Sequence, residues 1–169
     1  AKIAGIPLRI YGTIEDQGYF DTEIAPLLGE GVQYGGHLQG ADLTEAIARA
    51  SVLLFTPLWD EPFGLAAIEA MACGLPIAAV ENGAIREVAG DVARYARADA
   101  GELAEALREA IGIPRSAALE RVERLFTVER MLGAYEGLYG RAIDAVWDVS
   151  DVPSFEAFEL PPASIQSLV

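Results

Sequence analysis

The stretch Ser51–Gly83, SVLLFTPLWDEPFGLAAIEAMACGLPIAAVENG, decides how the rest of the chain is read. Val52–Phe55 is a short continuous apolar run, the pattern of a buried strand. A loop of Pro, Trp, Asp and Glu follows. The small residues from about Phe63 to Cys73 then predict a helix that Gly74 terminates in the left-handed conformation. Pro76 opens a second apolar run, Ile77–Val80. Strand, loop, helix and strand in this order make one βαβ unit, and such a unit implies a parallel sheet.

The charges in this stretch carry the chemistry. Between Pro62 and Val80 the single charged residue is Glu69. On a helix its neighbours three and four positions away are Leu65, Ala66, Ala72 and Cys73, none of which can pair with a carboxylate. A carboxylate among apolar neighbours is costly unless something hydrogen-bonds it. Glu69 is therefore either a buried acid satisfied by the backbone or a distant Arg, or an acid kept for a ligand. Glu61 stands just before the same helix, with seven residues between the two. Alone it reads equally as a solvated loop acid or a helix-mouth charge. The mouth, Phe63-Gly64-Leu65, offers free backbone N–H groups, the positive end of the helix dipole, and a glycine that admits a ligand close to the backbone. Two carboxylates suit sugar hydroxyls, and the amides between them suit phosphate. Together they point to a sugar-nucleotide site.

The residues Glu61-Pro62-Phe63-Gly64-Leu65, Glu69-Ala70-Met71-Ala72 and Gly74-Leu75-Pro76 resemble the E-x7-E signature of family 4 glycosyltransferases, metal-independent retaining enzymes of the GT-B fold. The resemblance runs from about Ile6 to Tyr139 and is strongest in this central stretch. It implies that Glu61 contacts the donor sugar and is the catalytic carboxylate. It assigns Glu69 to the ribose hydroxyls, and the amides of Phe63, Gly64 and Leu65 to the sugar or diphosphate. It also implies that Gly36, His37 and Leu38 offer main-chain groups to the nucleobase. No cofactor is implied beyond the nucleotide-diphosphate sugar itself, and no metal. These residues are expected to converge, with both carboxylates opening onto one cleft at the carboxyl edge of the sheet.

Composition bounds the alternatives. At 169 residues, 52% apolar and 22% charged, the chain is globular and long enough for a core. A net charge of −14 argues against a nucleic-acid surface or an anionic-membrane anchor. Lys2 is the only lysine, which excludes a lysine-anchored pyridoxal phosphate of the glycogen-phosphorylase kind. The single Cys73 excludes an internal disulfide and reads as a small buried hydrophobe on the core helix. His37 is the only histidine, with no second ligand near it for zinc. Asp16, Asp21 and Glu23 lack calcium-loop spacing and read as a solvated acidic loop. No apolar stretch is long enough to span a membrane and no signal peptide is visible, so a cytoplasmic location is expected.

Along the chain, Ile6–Tyr11 and Val32–Tyr34 read as strands, with a short helix near Tyr19–Leu28 that Pro26 disturbs. Asp42 with Glu45 forms a capping-box pattern for a helix running to about Ala50. After the central unit come a turn at Asn82-Gly83, a short helix Ala84–Val88 and an edge strand Val92–Tyr95. A helix capped by Asp99 and Glu102 follows, then one opened by Pro114 and a long amphipathic one capped by Thr127. Glu87 behind the glycine turn matches a glutamate of the resembling family, or pairs with Arg86 beside it. The expected fold class is α/β, a doubly wound parallel sheet, Rossmann-like, with ligands at the carboxyl ends of the strands. Residues 1–146 are expected to form the donor-binding domain and 147–169 a tail.

Two departures from the resembling family shape the remaining expectations. Its donor domain begins one strand and one helix earlier, with a basic pair that grips the diphosphate, and an acceptor-binding domain precedes it. The chain is therefore expected to be most of a donor half whose first strand is missing, partnered in the whole enzyme by an acceptor domain. The gap between Ile6–Tyr11 and Val52–Phe55 would close by collapse of the two strands, by insertion of the tail, or by a strand from a second copy in a homodimer. The function expected is retaining transfer of a sugar from a nucleotide-diphosphate sugar. The alternatives are a sugar-nucleotide epimerase of the same fold and a non-catalytic nucleotide-sugar-binding module.

Overall fold

A computed structural model describes residues 1–146. They divide into two compact units, Ala1–Val128 and a second that begins at Glu129. The first unit contains five short parallel strands: β1 Leu8–Ile10, β2 Val32–Tyr34, β3 Leu53–Phe55, β4 Ile77–Val80 and β5 Ala93–Ala96. They alternate with α1 Gln17–Tyr19, α2 Gly40–Ala48, α3 Leu65–Ala72 and α4 Ile85–Ala89, and α5 Ala100–Ala110 and α6 Arg115–Leu125 follow. This is the α/β, doubly wound parallel arrangement expected from the sequence.

The strands form two sheets. β1 pairs with β2, with Leu8 opposite Val32, and the order β3-β4-β5 makes the other sheet, with Leu53 opposite Ile77 and Ile77 opposite Ala93. β1 and β3 do not pair, so the expected collapse of these two strands does not occur. The tail from Trp147 lies outside the described residues, and so does any insertion it makes.

Burial explains the pattern. All four residues of β4 are buried, because this central strand has a strand on each side and helices over it. Ala67, Ala70 and Met71 of α3 lie on the buried side, and Ala104, Leu107 and Ala110 of α5 do the same from their helix. Met71 and Ile77 are fully buried, so truncating either to Ala costs about 2–5 kcal/mol.

Helix ends follow local chemistry where it is strong. Asp99 accepts from the amides of Gly101 and Glu102, both at 2.9 Å, and starts α5. Gly74 takes φ +78 after α3, its amide donates to the Met71 carbonyl and that of Leu75 to Ala70, a complete Schellman closure. Cys73 is the half-buried C-cap there, less enclosed than expected. Asp42 does not cap α2: the helix starts two residues earlier behind Gln39, which makes no side-chain cap, and Asp42 sits in the first turn. The segment around Pro26 is a π turn, Phe20–Ile24, followed by a 3₁₀ turn, Ala25–Leu27. There the missing proline donor and its ring disfavour a regular helix.

α7, Val128–Val146, begins directly after Thr127, and its residues from Glu129 onward, which belong to the second unit, include exposed Met131, Tyr135, Leu138 and Tyr139 at helical spacing. Among the described residues no helix is long and apolar enough to cross a membrane.

Candidate functional site

The loop from Phe55, the end of β3, to Leu65, the start of α3, carries Glu61. Gly64 caps α3 with φ +81, and a β-carbon there would stand 3.3 Å from the Phe55 ring, so both backbone shape and space call for glycine. The Gly64 amide donates to Glu61 Oε1 at 3.1 Å, and Trp59 Nε1 donates to Oε2 at 3.1 Å. The Glu61 amide donates to the Trp59 carbonyl at 2.8 Å, and the Glu61 carbonyl accepts from the Ala84 amide at 2.9 Å. The half-buried Glu61 is thus held on both carboxylate oxygens and on both sides of its backbone.

The mouth of α3 is open. Ala67 and Ile68 donate to the Gly64 carbonyl, whereas the amides of Phe63, Leu65 and Ala66 find no protein acceptor among the described residues. Leu65 and Ala66 are exposed, and the half-exposed Phe63 ring stands edge-on to Phe126. Of the three amides expected to serve the ligand, that of Gly64 is already bonded to Glu61.

Glu69 lies in the second turn of α3 and is exposed, and its carboxylate makes no hydrogen bond or ion pair to any described residue. The reading of Glu69 as a buried acid satisfied by a distant Arg does not hold. α3 gives Ala67, Ala70 and Met71 to the core, which leaves Glu69 on the open side with no desolvation to offset. Two carboxylates therefore flank a helix start with unspent amides, one preset by the protein and the other unpartnered.

Gly36, His37 and Leu38 follow β2, at the carboxyl end of the other sheet. Gly36 takes φ +75, and its carbonyl accepts from Gly12 at 3.0 Å, which prolongs the β1–β2 ladder. His37 is exposed, and the Gln39 side-chain amide donates to its Nε2 at 2.6 Å. No hydrogen bond joins this loop to Glu61, Phe63–Leu65 or Glu69 among the described residues. The loops instead share a position, each directly after a parallel strand.

Asp16 and Asp21, of the acidic loop, hold local structure. Asp16 accepts from the Tyr19 amide at the start of α1, and Asp21 accepts from Gln17. Arg86 pairs with Glu81 at 2.5 Å and lies 4.3 Å over the Tyr95 ring, so it is not the partner of Glu87. Its guanidinium holds the Glu81 carboxyl below the ordinary carboxylate range, and burial pushes the Tyr95 phenol up. Among the described residues no three His, Cys, Asp or Glu side chains are grouped so as to hold a metal ion. Trp59 and Gly83 escaped the sequence reading as parts of this site. Asn82-Gly83 signalled a turn, but nothing local shows that the turn abuts Glu61.

Residues 2–122 match the family of glycosyl transferases group 1. The chain belongs to this family. The D-inositol 3-phosphate glycosyltransferase of Salinispora tropica is 35% identical over 134 residues, covering 72% of this chain and 27% of that protein. This group 1 chain therefore spans about a quarter of the length of that relative. Among solved structures, AviGT4, a glycosyltransferase involved in avilamycin A biosynthesis, superposes with a TM-score of 0.74 at 24% identity, over 85% of this chain and 46% of that one. Anabaena HepE, in complex with UDP-glucose, superposes with a TM-score of 0.65 at 23% identity, over 82% of this chain and 43% of that one. These likenesses show that the chain has the fold of a single Rossmann-like GT-B half-domain.

Proposed function

We propose that this group 1 glycosyltransferase chain is the donor-binding part of a retaining, family 4 enzyme. It would take a nucleotide-diphosphate sugar and pass the sugar to an acceptor held by another domain. The observation that carries the reading is the pair formed by Glu61, held on both oxygens, and Glu69, exposed and unpartnered, across a helix start whose amides are unspent. Glu61 faces the sugar, Glu69 binds the ribose hydroxyls, and the amides of Phe63 and Leu65 face the diphosphate. The main chain of Gly36, His37 and Leu38 meets the nucleobase. The HepE complex with UDP-glucose supports this donor class through the shared fold.

The leaving group is a diphosphate, so the catalytic task is to stabilise separating charge as the glycosidic bond opens. The positive end of α3 favours the negative charge that accumulates on the diphosphate. Glu61, an acceptor fixed before the sugar arrives, favours the positive charge that develops on the sugar ring. The unpaired edges of β1 and β3 fit a strand supplied from the rest of the polypeptide or from a second copy. A cytoplasmic setting accompanies this reading.

The test is a calorimetric titration of the full-length protein with UDP, UDP-glucose and GDP-mannose. One nucleotide series should bind, and Glu69→Gln should weaken the free nucleotide and the nucleotide sugar alike. Binding unchanged in Glu69→Gln would remove its ribose role.

A further inference from the structure

Trp59 is 65% exposed. A large indole left in water contributes little to a core, so packing does not account for this side chain. Its one polar atom, Nε1, donates to Glu61 Oε2 at 3.1 Å. The same two residues are joined through the backbone, because the Glu61 amide donates to the Trp59 carbonyl at 2.8 Å. This short turn fixes where the indole can reach. The Gly64 amide takes the other oxygen, Oε1.

With one oxygen held, a glutamate still pivots about that bond. With both held from opposite sides of the loop, the plane of the carboxylate is set. A free glutamate side chain loses rotamer freedom when it is ordered. Here that ordering precedes the arrival of any ligand, which is the condition for efficient stabilisation of developing charge.

We propose that Trp59 is a positioning residue that sets the Glu61 carboxylate through its indole N–H. The proposal rests on the reading in which Glu61 faces the donor sugar. Trp59→Phe keeps an aromatic side chain and removes the N–H. Because the ring is exposed, the variant should fold as the wild type does.

The measurement is nucleotide release from UDP-glucose or GDP-mannose, whichever the full-length wild type hydrolyses faster, for Trp59→Phe, Glu61→Ala and the double variant. Trp59→Phe should lower kcat roughly tenfold, the effect of losing one hydrogen bond to a charged acceptor, and leave KM within about twofold. In the Glu61→Ala background the same change should have less than about a twofold effect, because its target is gone. The chain has two tryptophans, so the Trp59 indole N–H resonance can be identified by its loss in Trp59→Phe, and it should shift in Glu61→Ala. Wild-type kcat in Trp59→Phe, additive losses in the double variant, or an unmoved indole resonance would each overturn the proposal while leaving the donor-site reading intact. Full turnover in Glu61→Ala, or no release from either donor by the wild type, would overturn both.

Discussion

A β-carbon at position 83 would stand 2.4 Å from the Glu61 carbonyl oxygen and 2.5 Å from the Glu61 amide nitrogen. Gly83 therefore lies flat against the backbone of the residue that the donor-site reading places at the sugar. The next residue, Ala84, donates its amide to that same Glu61 carbonyl. The turn after β4 is thus the surface against which the loop after β3 is set.

Gly83→Ala is expected to displace Glu61. Both contacts involve backbone, which cannot rotate away, and φ +57 already disfavours any side chain, at roughly 1 kcal/mol. Turnover should fall by more than tenfold with a melting temperature only a few degrees lower. Kinetics and calorimetry on the same preparation check this. Asn82→Ala, which removes only a side-chain bond to the Gly83 amide, should be much milder.

Glu61→Gln should lower turnover more than Glu69→Gln does. Glu61 would sit beside charge that exists only in the transition state, whereas Glu69 would bind the ribose equally before and during reaction. Steady-state kinetics with the donor varied separates the two: kcat should fall for the first and KM rise for the second. Equal losses confined to KM would contradict the assignment of Glu61.

The loop proposed to meet the nucleobase, Gly36–Leu38, should answer to its backbone rather than its side chains. His37→Ala removes an exposed ring bonded only to Gln39 and should change nucleotide affinity by less than about threefold. Gly36→Val forces a β-branched residue to φ +75 and should weaken binding by more than tenfold. Titration with the free nucleotide reads both.

Arg115 should matter for stability and not for the site. Its guanidinium donates to the carbonyls of Ala48, Ala50 and Cys73, tying the ends of α2 and α3 to the start of α6. Arg115→Met leaves these carbonyls to water, at a cost of about 1–2 kcal/mol. The denaturation midpoint should drop without a change in the slope against urea.

The Glu81–Arg86 pair sets a small acid dependence. Arg86 holds the Glu81 carboxyl below its unfolded value, so its contribution is present at neutral pH and disappears as the pH falls below the ordinary carboxylate range. Glu81→Gln should lower the melting temperature slightly at pH 7 and make no difference near about pH 2. The pair is exposed, so high salt should shrink the neutral-pH difference.

The parts of the molecule legible in the sequence are those governed by near neighbours along the chain. An apolar run as strict as Ile77–Val80 buries itself in any parallel sheet. Gly74 ends a helix wherever one precedes it, and Asp99 caps one wherever one follows. The E-x7-E spacing likewise places two carboxylates around one helix start, whatever surrounds them. Tertiary structure decided the rest. Glu69 is exposed because α3 turned Ala67, Ala70 and Met71 to the sheet, and eight nearly uniform small and apolar residues do not announce which face that will be. Asp42 lost the cap to a helix that starts earlier, and a capping pattern is worth only about 1 kcal/mol, too little to fix a helix start by itself. Glu61 is positioned by Gly83 and Ala84, more than twenty residues away, and the ends of α2 and α3 are tied by Arg115, about forty to seventy residues away. Contacts of that span form only when the strands have brought their carboxyl ends together, and no local preference encodes them.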